Sequence, residues 1–362
     1  MSLNQDIGSL IMTGIRGASL DDPHCKEDVQ TLKSLHIKGV ILFDTHLPTG
    51  GMRNIINEDQ VRTLTDDLRH ELGEDLLIAI DQEGGEVNRL GLFKDLGVSE
   101  QLSATMQGAM SPAQLGAIIE PVASALEHAG IDLNFAPCVD LCVNPENPII
   151  AGKGRSLGHD PERVARSAST IIEAYAKHGV RCCLKHFPGH GSSTTDTHMG
   201  LANITESWIE DELSVYRALI GSINSGSLPM CAVMTGHLMH HLQDPLLPAS
   251  MSHMHTTTTL RDLIGFEGLV ITDSIDMGAI RDHHDAGAAA VLALQAGADV
   301  VLDGFNSPSD SGLDHPAPQI HESLMRGVEQ GTIPFERVAE SVDRRKAFHR
   351  FELQNPSMRS NR

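Results

Sequence analysis

Eight short, almost continuously apolar runs recur along this chain, and a stretch of helical period follows each one. The runs cover 9–14, 39–43, 76–81, 133–137, 180–186, 231–237, 269–273 and 300–303. The amphipathic stretches cover 26–35, 58–72, 112–129, 161–178, 206–225, 258–264, 286–296 and 320–329. A run of strand length that is apolar on both faces needs cover on both faces, as in parallel sheets. Ser111-Pro112 and Asp160-Pro161 each place a capping side chain before a proline suited to the first helical turn. Eight strand–helix units predict an α/β fold, a (β/α)8 barrel of the TIM type, in a single domain over 1–351. Residues 352–362 read as a polar tail, and the first three residues are left out of the fold reading. No G-x-G-x-x-G follows the first run, so an open dinucleotide-binding sheet has no direct support.

Charge and cysteine usage narrow the function. The net charge of -21 repels phosphates, which argues against nucleic acid and anionic membrane surfaces as partners. No apolar run reaches membrane-spanning length, and no basic segment followed by an apolar core opens the chain. The six cysteines form no ladder, and Cys182 and Cys183 should point to opposite faces of one strand. Buried free thiols and a cytoplasmic enzyme are the expectation.

In a barrel of this kind the loops after the strands build the site. Those loops are rich in titratable groups here. Asp81-Gln82-Glu83-Gly84-Gly85 follows the third run, with Arg89 beyond; Asp140 and then Arg155 follow the fourth. The fifth run ends at Lys185-His186 and feeds a loop holding His190, Asp196 and His198. His237, Asp273 and Asp303 end the sixth, seventh and eighth. Each has an ordinary structural alternative, such as a helix cap for Asp81 or a surface ion pair for Arg89 and Arg155. Asp140 and Asp303 read as loop ties and His237 as a supporting group. Their convergence at one end of the barrel is what marks a site.

Those segments resemble glycoside hydrolase family 3, in particular its single-domain bacterial β-N-acetylglucosaminidases (β-hexosaminidases). The matching stretches are Ile80-Asp81-Gln82-Glu83-Gly84-Gly85 with Arg89, Asn134-Phe135-Ala136-Pro137 with Asp140, Gly154-Arg155-Ser156-Leu157-Gly158, Lys185-His186-Phe187-Pro188-Gly189-His190-Gly191, Asp196-Thr197-His198, and Gly265-Phe266-Glu267-Gly268 leading to Thr272-Asp273. The resemblance implies a retaining glycosidase acting on terminal β-linked N-acetylglucosamine, with cell-wall fragments as the suggested source. It implies Asp273 as the carboxylate nucleophile and an Asp196–His198 pair as acid/base. An imidazole titrating near ~6.5 reaches both protonation states near neutrality. Asp81, Arg89, Arg155, Lys185 and His186 would hold the sugar hydroxyls, and no metal or organic cofactor is needed. The chain departs from relatives at Glu86, at Ser192-Ser193 and at Ser274, which bears on leaving-group preference and loop behaviour. The chain has only Trp208 and two tyrosines, and Trp208 reads as a helix residue, so a short pocket for a terminal sugar, with exo action on small fragments, fits better than an extended stacking cleft.

Three other readings compete. A β-glucosidase of the same family would use another acid/base. A metal-dependent barrel hydrolase would use His186, His190, Asp196 and His198 as ligands, while His253, His255, His283 and His284 read as solvated. A non-catalytic sugar-binding protein would keep the pocket alone.

Overall fold

The computed structural model describes residues 2–91, 102–197, 200–307 and 314–350. Eight parallel strands follow one another around a ring in chain order. They are β1 (Ile11–Gly14), β2 (Gly39–Ile41), β3 (Leu77–Ile80), β4 (Leu133–Asn134), β5 (Arg181–Phe187), β6 (Ala232–Thr235), β7 (Val270–Thr272) and β8 (Val301–Asp303). β8 returns to β1 with Val301 opposite Ile11. At the remaining seam, Thr272 N–H donates to Val300 O at 3.1 Å and Ile275 N–H to Leu302 O at 2.9 Å. The result is an almost closed barrel of the TIM type, as the repeating pattern predicts.

Alternation along the strands sorts the core into two layers. Met12, Ile41, Leu77, Ala79, Leu133, Cys183, Met234 and Ile271 fill the barrel interior. Ile11, Val40, Ile78, Cys182, Leu184, Val233 and Val270 face outward and pack with the helices. Cys182 and Cys183 fall on opposite sides as expected, and all six cysteines are free thiols. All the strands but β5 are shorter than their apolar runs. In the 133–137 run the regular strand ends at Asn134, while Phe135 N–H still donates to Ile80 O at 2.8 Å and Ala136 O accepts Cys183 N–H at 3.0 Å; Pro137 has no N–H to donate.

The cap-and-proline signals place two helices well. Pro112–His128 carries a capping box between Ser111 and Gln114, and Pro161–Lys177 is capped by Asp160. The second buries Val164, Ala168, Ile171, Ile172 and Tyr175, one face of a 3.6-residue period. Elsewhere the sequence reading needs correction. Ser9 ends a helix, Leu3–Ser9, because Ser2 and Gln5 form a capping box that outweighs the apolar run. The 206–225 helix begins at Asp211, and Trp208 lies before it, packed edge-on against His240 with Nε1 donating to Pro188 O. Turn chemistry wins there: Thr205 N–H and Oγ1 both reach Asn203 Oδ1. The 258–264 stretch belongs to a wide π-helix, Met254–Leu263. His255 is buried in it, not solvated. A final helix, Phe335–Arg350, was not read from its charge-rich sequence; its Phe348 plugs the barrel interior.

That helix also closes a buried charge cluster under the barrel. Asp299 meets Arg261 at 2.6 Å, Arg337 at 2.8 Å and Arg344 at 3.2 Å, and accepts Val270 N–H at 2.9 Å. Among the described residues no helix is long and apolar enough to cross a membrane. The polar tail over 352–362 lies outside the described residues.

Two buried histidines make stability depend on pH. Burial lowers the His190 and His255 imidazoles to about 4. Both titrate near ~6.5 when unfolded, so the unfolded chain takes up these protons first. Their neutral forms support the fold above the unfolded value, and that support is lost as pH falls through the folded one. The melting temperature is therefore expected to drop between about pH 6.5 and 4; melts that stay level over that window would contradict it.

Candidate active site

The loops at the C-terminal ends of the strands enclose an open cleft of ≈ 1500 Å³, counting the solvent at its mouth. Asp81, Arg89, Arg155, Lys185, His186, Asp196 and Asp273 all line it. Seven of the eight residues expected from sequence therefore share one space. The eighth, His198, lies outside the described residues.

The floor is an alternating chain of charges. Lys185, buried within β5, places Nζ 2.6 Å from Asp81 Oδ1 and 2.7 Å from Glu83 Oε1. Arg155, from the long loop after β4, grips both Glu83 oxygens at 2.8 Å with Nε and Nη2. Burial alone would raise the Glu83 carboxyl, but Arg155 and Lys185 overcome it and hold it well below the carboxylate range. Burial alone would likewise lower Lys185, and Asp81 with Glu83 raise it instead. Glu83 and Lys185 are thus both charged at neutral pH. Lys185 spends two of its three hydrogens on carboxylates, so one remains for a ligand oxygen.

His186 is held from both sides. Its Nδ1–H donates to Asp140 Oδ2 at 2.6 Å, and Arg155 Nη2 lies 3.3 Å from Nε2. The peptide joining Lys185 to His186 is cis, and both side chains line the cleft. Asp140 also accepts the backbone N–H of His186 at 3.0 Å and of His190 at 2.8 Å. Burial would raise this carboxyl, yet His186 and these donors hold it down at about 2. Asp140 is the loop tie expected of it, and it also orients an imidazole. Arg89 donates to Asp44 Oδ1 at 3.1 Å and lies over the Phe43 ring.

Asp273 directly follows β7. Its N–H donates to Thr235 O at 2.9 Å, and its Oδ1 accepts Ser274 N–H at 2.8 Å. Backbone on both sides therefore fixes where its carboxylate stands. His237 supports that turn by donating from Nε2 to Ser274 O at 2.8 Å. Ser274 Oγ reaches Asp276 Oδ1 at 2.7 Å and accepts Gly304 N–H at 2.6 Å, joining the β7 and β8 loops. Asp303 accepts Phe305 N–H at 3.0 Å, again a loop tie. Asp196 sits on the β5 loop, whose next residue is anchored. Thr197 O accepts Ala279 N–H at 3.1 Å, and its Oγ1 lies 3.3 Å from His190 Nε2.

Glu83 is the residue that sequence reasoning passed over. Its signal was register: it stands two residues beyond Asp81, so the two side chains share a face. As for metal ligands, Cys138, Asp140 and His186 are the one cluster among the described residues with ligand atoms within 4.8 Å. Of the described members of the set weighed for a metal hydrolase, His186 alone belongs to it. Burial and then Asp140 push the Cys138 thiol well above its ordinary value, so it donates to Asp140 Oδ2 at 3.3 Å as a protonated group.

Chemically, the cleft offers a carboxyl group at a strand end, a second one on a loop, and a floor of hydrogen-bond donors and acceptors. Comparison with known proteins agrees with that chemistry. The sequence model of the glycosyl hydrolase family 3 N-terminal domain matches residues 2–346. A relative named beta-hexosaminidase A, from Pseudoalteromonas piscicida, is 32% identical over 74% of this chain, which spans 45% of that protein. The beta-hexosaminidase of Chromobacterium violaceum is 33% identical over 80% of this chain and 79% of its own. Among solved structures, a glycoside hydrolase family 3 β-N-acetylglucosaminidase from Paenibacillus sp. str. FPU-7 superposes with a TM-score of 0.82 at 30% identity, covering 98% of this chain and 63% of that one.

Proposed function

The chain belongs to glycoside hydrolase family 3, and from that premise we propose that it is a retaining exo-β-N-acetylglucosaminidase that releases terminal β-linked N-acetylglucosamine from small glycans. The observation that carries this reading is the gathering of Asp273, Asp196 and the Asp81–Lys185–Glu83–Arg155 chain around one cleft. In this account Asp273 attacks the anomeric carbon and forms a glycosyl ester. A carboxylate fixed at a strand end suits that role, because attack needs an ionised group held beneath the ring. His198 protonates the departing oxygen and then takes the proton from the attacking water, and Asp196 orients the imidazole. Asp81 accepts from sugar hydroxyls while Lys185, Arg155, Arg89 and His186 donate to or flank the ring. These contacts hold the sugar as it gains oxocarbenium character. The source of the glycan in this reading is cell-wall fragments in the cytoplasm, and six free thiols suit that reducing compartment.

Two assays test the proposal. Turnover of an aryl N-acetyl-β-glucosaminide should far exceed that of the aryl β-glucoside; the reverse order would favour the β-glucosidase reading, and binding of sugar with no turnover a non-catalytic one. Replacing His198 with alanine is expected to cost about 10²- to 10⁴-fold on substrates with poor leaving groups. The loss on 4-nitrophenyl glycosides should be far smaller, since nitrophenolate leaves with little protonation. Equal losses on both would remove His198 from the acid role.

A further inference from the structure

Behind the loop that carries Asp196 lies a carboxyl group for which the proposed reaction has no use. Glu212 is the second residue of the helix Asp211–Asn224 and is 1% exposed. Its Oε2 accepts the Gly191 N–H at 3.0 Å. Gly189 presses against the same side chain: a Cβ there would stand 2.4 Å from Oε2 and 2.6 Å from the Glu212 Cβ. Its φ of +122 also suits glycine alone. Ser192, fully buried, adjoins the carboxyl as well. From the other side, the stretch is tied by His190 N–H to Asp140 and by Asn147 Nδ2, which donates to His190 O at 2.8 Å. A Cβ on Gly191 would lie 1.6 Å from Leu141 O. Residues 189–192 are thus clamped between the β4 loop in front and Glu212 behind.

We propose that Glu212 is a positioning residue: its carboxyl backs the 189–192 stretch and so sets where the β5 loop presents Asp196 to the cleft. The inference rests on the reading of Asp196 as part of the acid/base pair. The groups facing Glu212 are Asp140 from the β4 loop and Tyr216 one turn further along its own helix. His190, the titratable residue of the clamped stretch, turns its ring to His186 and Thr197. Burial, with Asp140 adding to it, pushes the Glu212 carboxyl up to about 8. Around pH 7 the clamp is closed by an uncharged acid. Ionisation would place a second carboxylate across from Asp140 in a space with little water, and the stretch would have to open to hydrate it.

Parent, Glu212→Gln and Glu212→Ala are compared on 4-nitrophenyl N-acetyl-β-glucosaminide from pH 5 to 9.5, with melting temperatures over the same range. Glutamine keeps the shape and the neutral charge, so its kcat at pH 6.5 should stay within about threefold of the parent, while alanine should lose about tenfold or more in kcat with little change in KM. The parent kcat should fall as pH passes about 8, and the glutamine variant should lack that fall. Glutamine losing as much as alanine at pH 6.5, or keeping the parent's alkaline fall, overturns the proposal. If alanine fails to fold, parent against glutamine decides. The melts read the clamp without turnover. Glu212 has a folded value above its unfolded one, so its support is complete below about 4.3 and is lost as pH rises through the folded value. Glutamine has no proton to lose, so its melting temperature should gain on the parent's between pH 5 and 8; a constant gap overturns the proposal. A parent that turns over no N-acetylglucosaminide, with the widening gap intact, would instead overturn the activity proposed above.

Discussion

Replacing Asp273 with alanine should lower kcat by about ten-thousand-fold or more, because it deletes the atom that forms the covalent bond. The fold should survive. Asp273 stands outside the two apolar layers, and its backbone bond to Thr235 does not need its side chain. The local losses include one acceptor for Ser274 N–H. Azide should restore turnover of a 4-nitrophenyl substrate in this variant by entering the vacated space, and its glycosyl product should have the opposite anomeric configuration. A circular dichroism spectrum and a melting temperature like the parent's would separate this from unfolding. A variant with a tenth of the parent activity would mean that another group attacks.

The second large effect is expected at Glu83. Alanine there leaves Lys185 and Arg155 buried with their shared counter-ion gone. Among the described residues, Lys185 keeps Asp81 alone, and Arg155 keeps weaker contacts with Ile149 O and His186. Breaking a buried pair from one side typically costs about 3–5 kcal/mol. The melting temperature should fall by several degrees, and KM should rise together with the loss in kcat, since the donors that hold the ring lose their placement. Glu83→Gln keeps the shape but not the charge and should lie between parent and alanine. Thermal unfolding with saturation kinetics checks both halves; a stable alanine variant with normal KM would mean that the charge chain does not organise the cleft.

Where side-chain period or capping chemistry dominated, the sequence was readable. Glu58–Leu72 occupies the stretch that its apolar period and the Asn57 cap mark, and Ala286–Ala296 that which its helix-favouring alanines and the Asp285 cap mark. Barrel closure also followed from counting strand–helix units. Elements that depend on distant contacts were not readable. Phe335–Arg350 has a charge-rich sequence, and its fit under the barrel comes from Asp299, far away in sequence. The site divides the same way. Motif residues at strand ends, such as Asp81, Lys185 and Asp273, could be located because strand ends converge in a barrel. Glu83 was written in the same motif, but its place between two cations needs the β4 loop to deliver Arg155 from 72 positions further along. Glu212 gave no sequence signal: an acidic residue early in a helix reads as an ordinary solvated one, and only the packed loop above it makes it a buried acid.

The account turns on a covalent sugar–Asp273 ester, and a slow fluorinated N-acetylglucosaminide that lets this ester accumulate tests it directly. After acid quench and proteolysis, mass spectrometry should find one N-acetyl-fluoroglucosaminyl group on the peptide containing Asp273, fragmenting at that residue. An adduct on any other carboxylate, or turnover of the slow substrate to product of inverted configuration with no adduct, would contradict it.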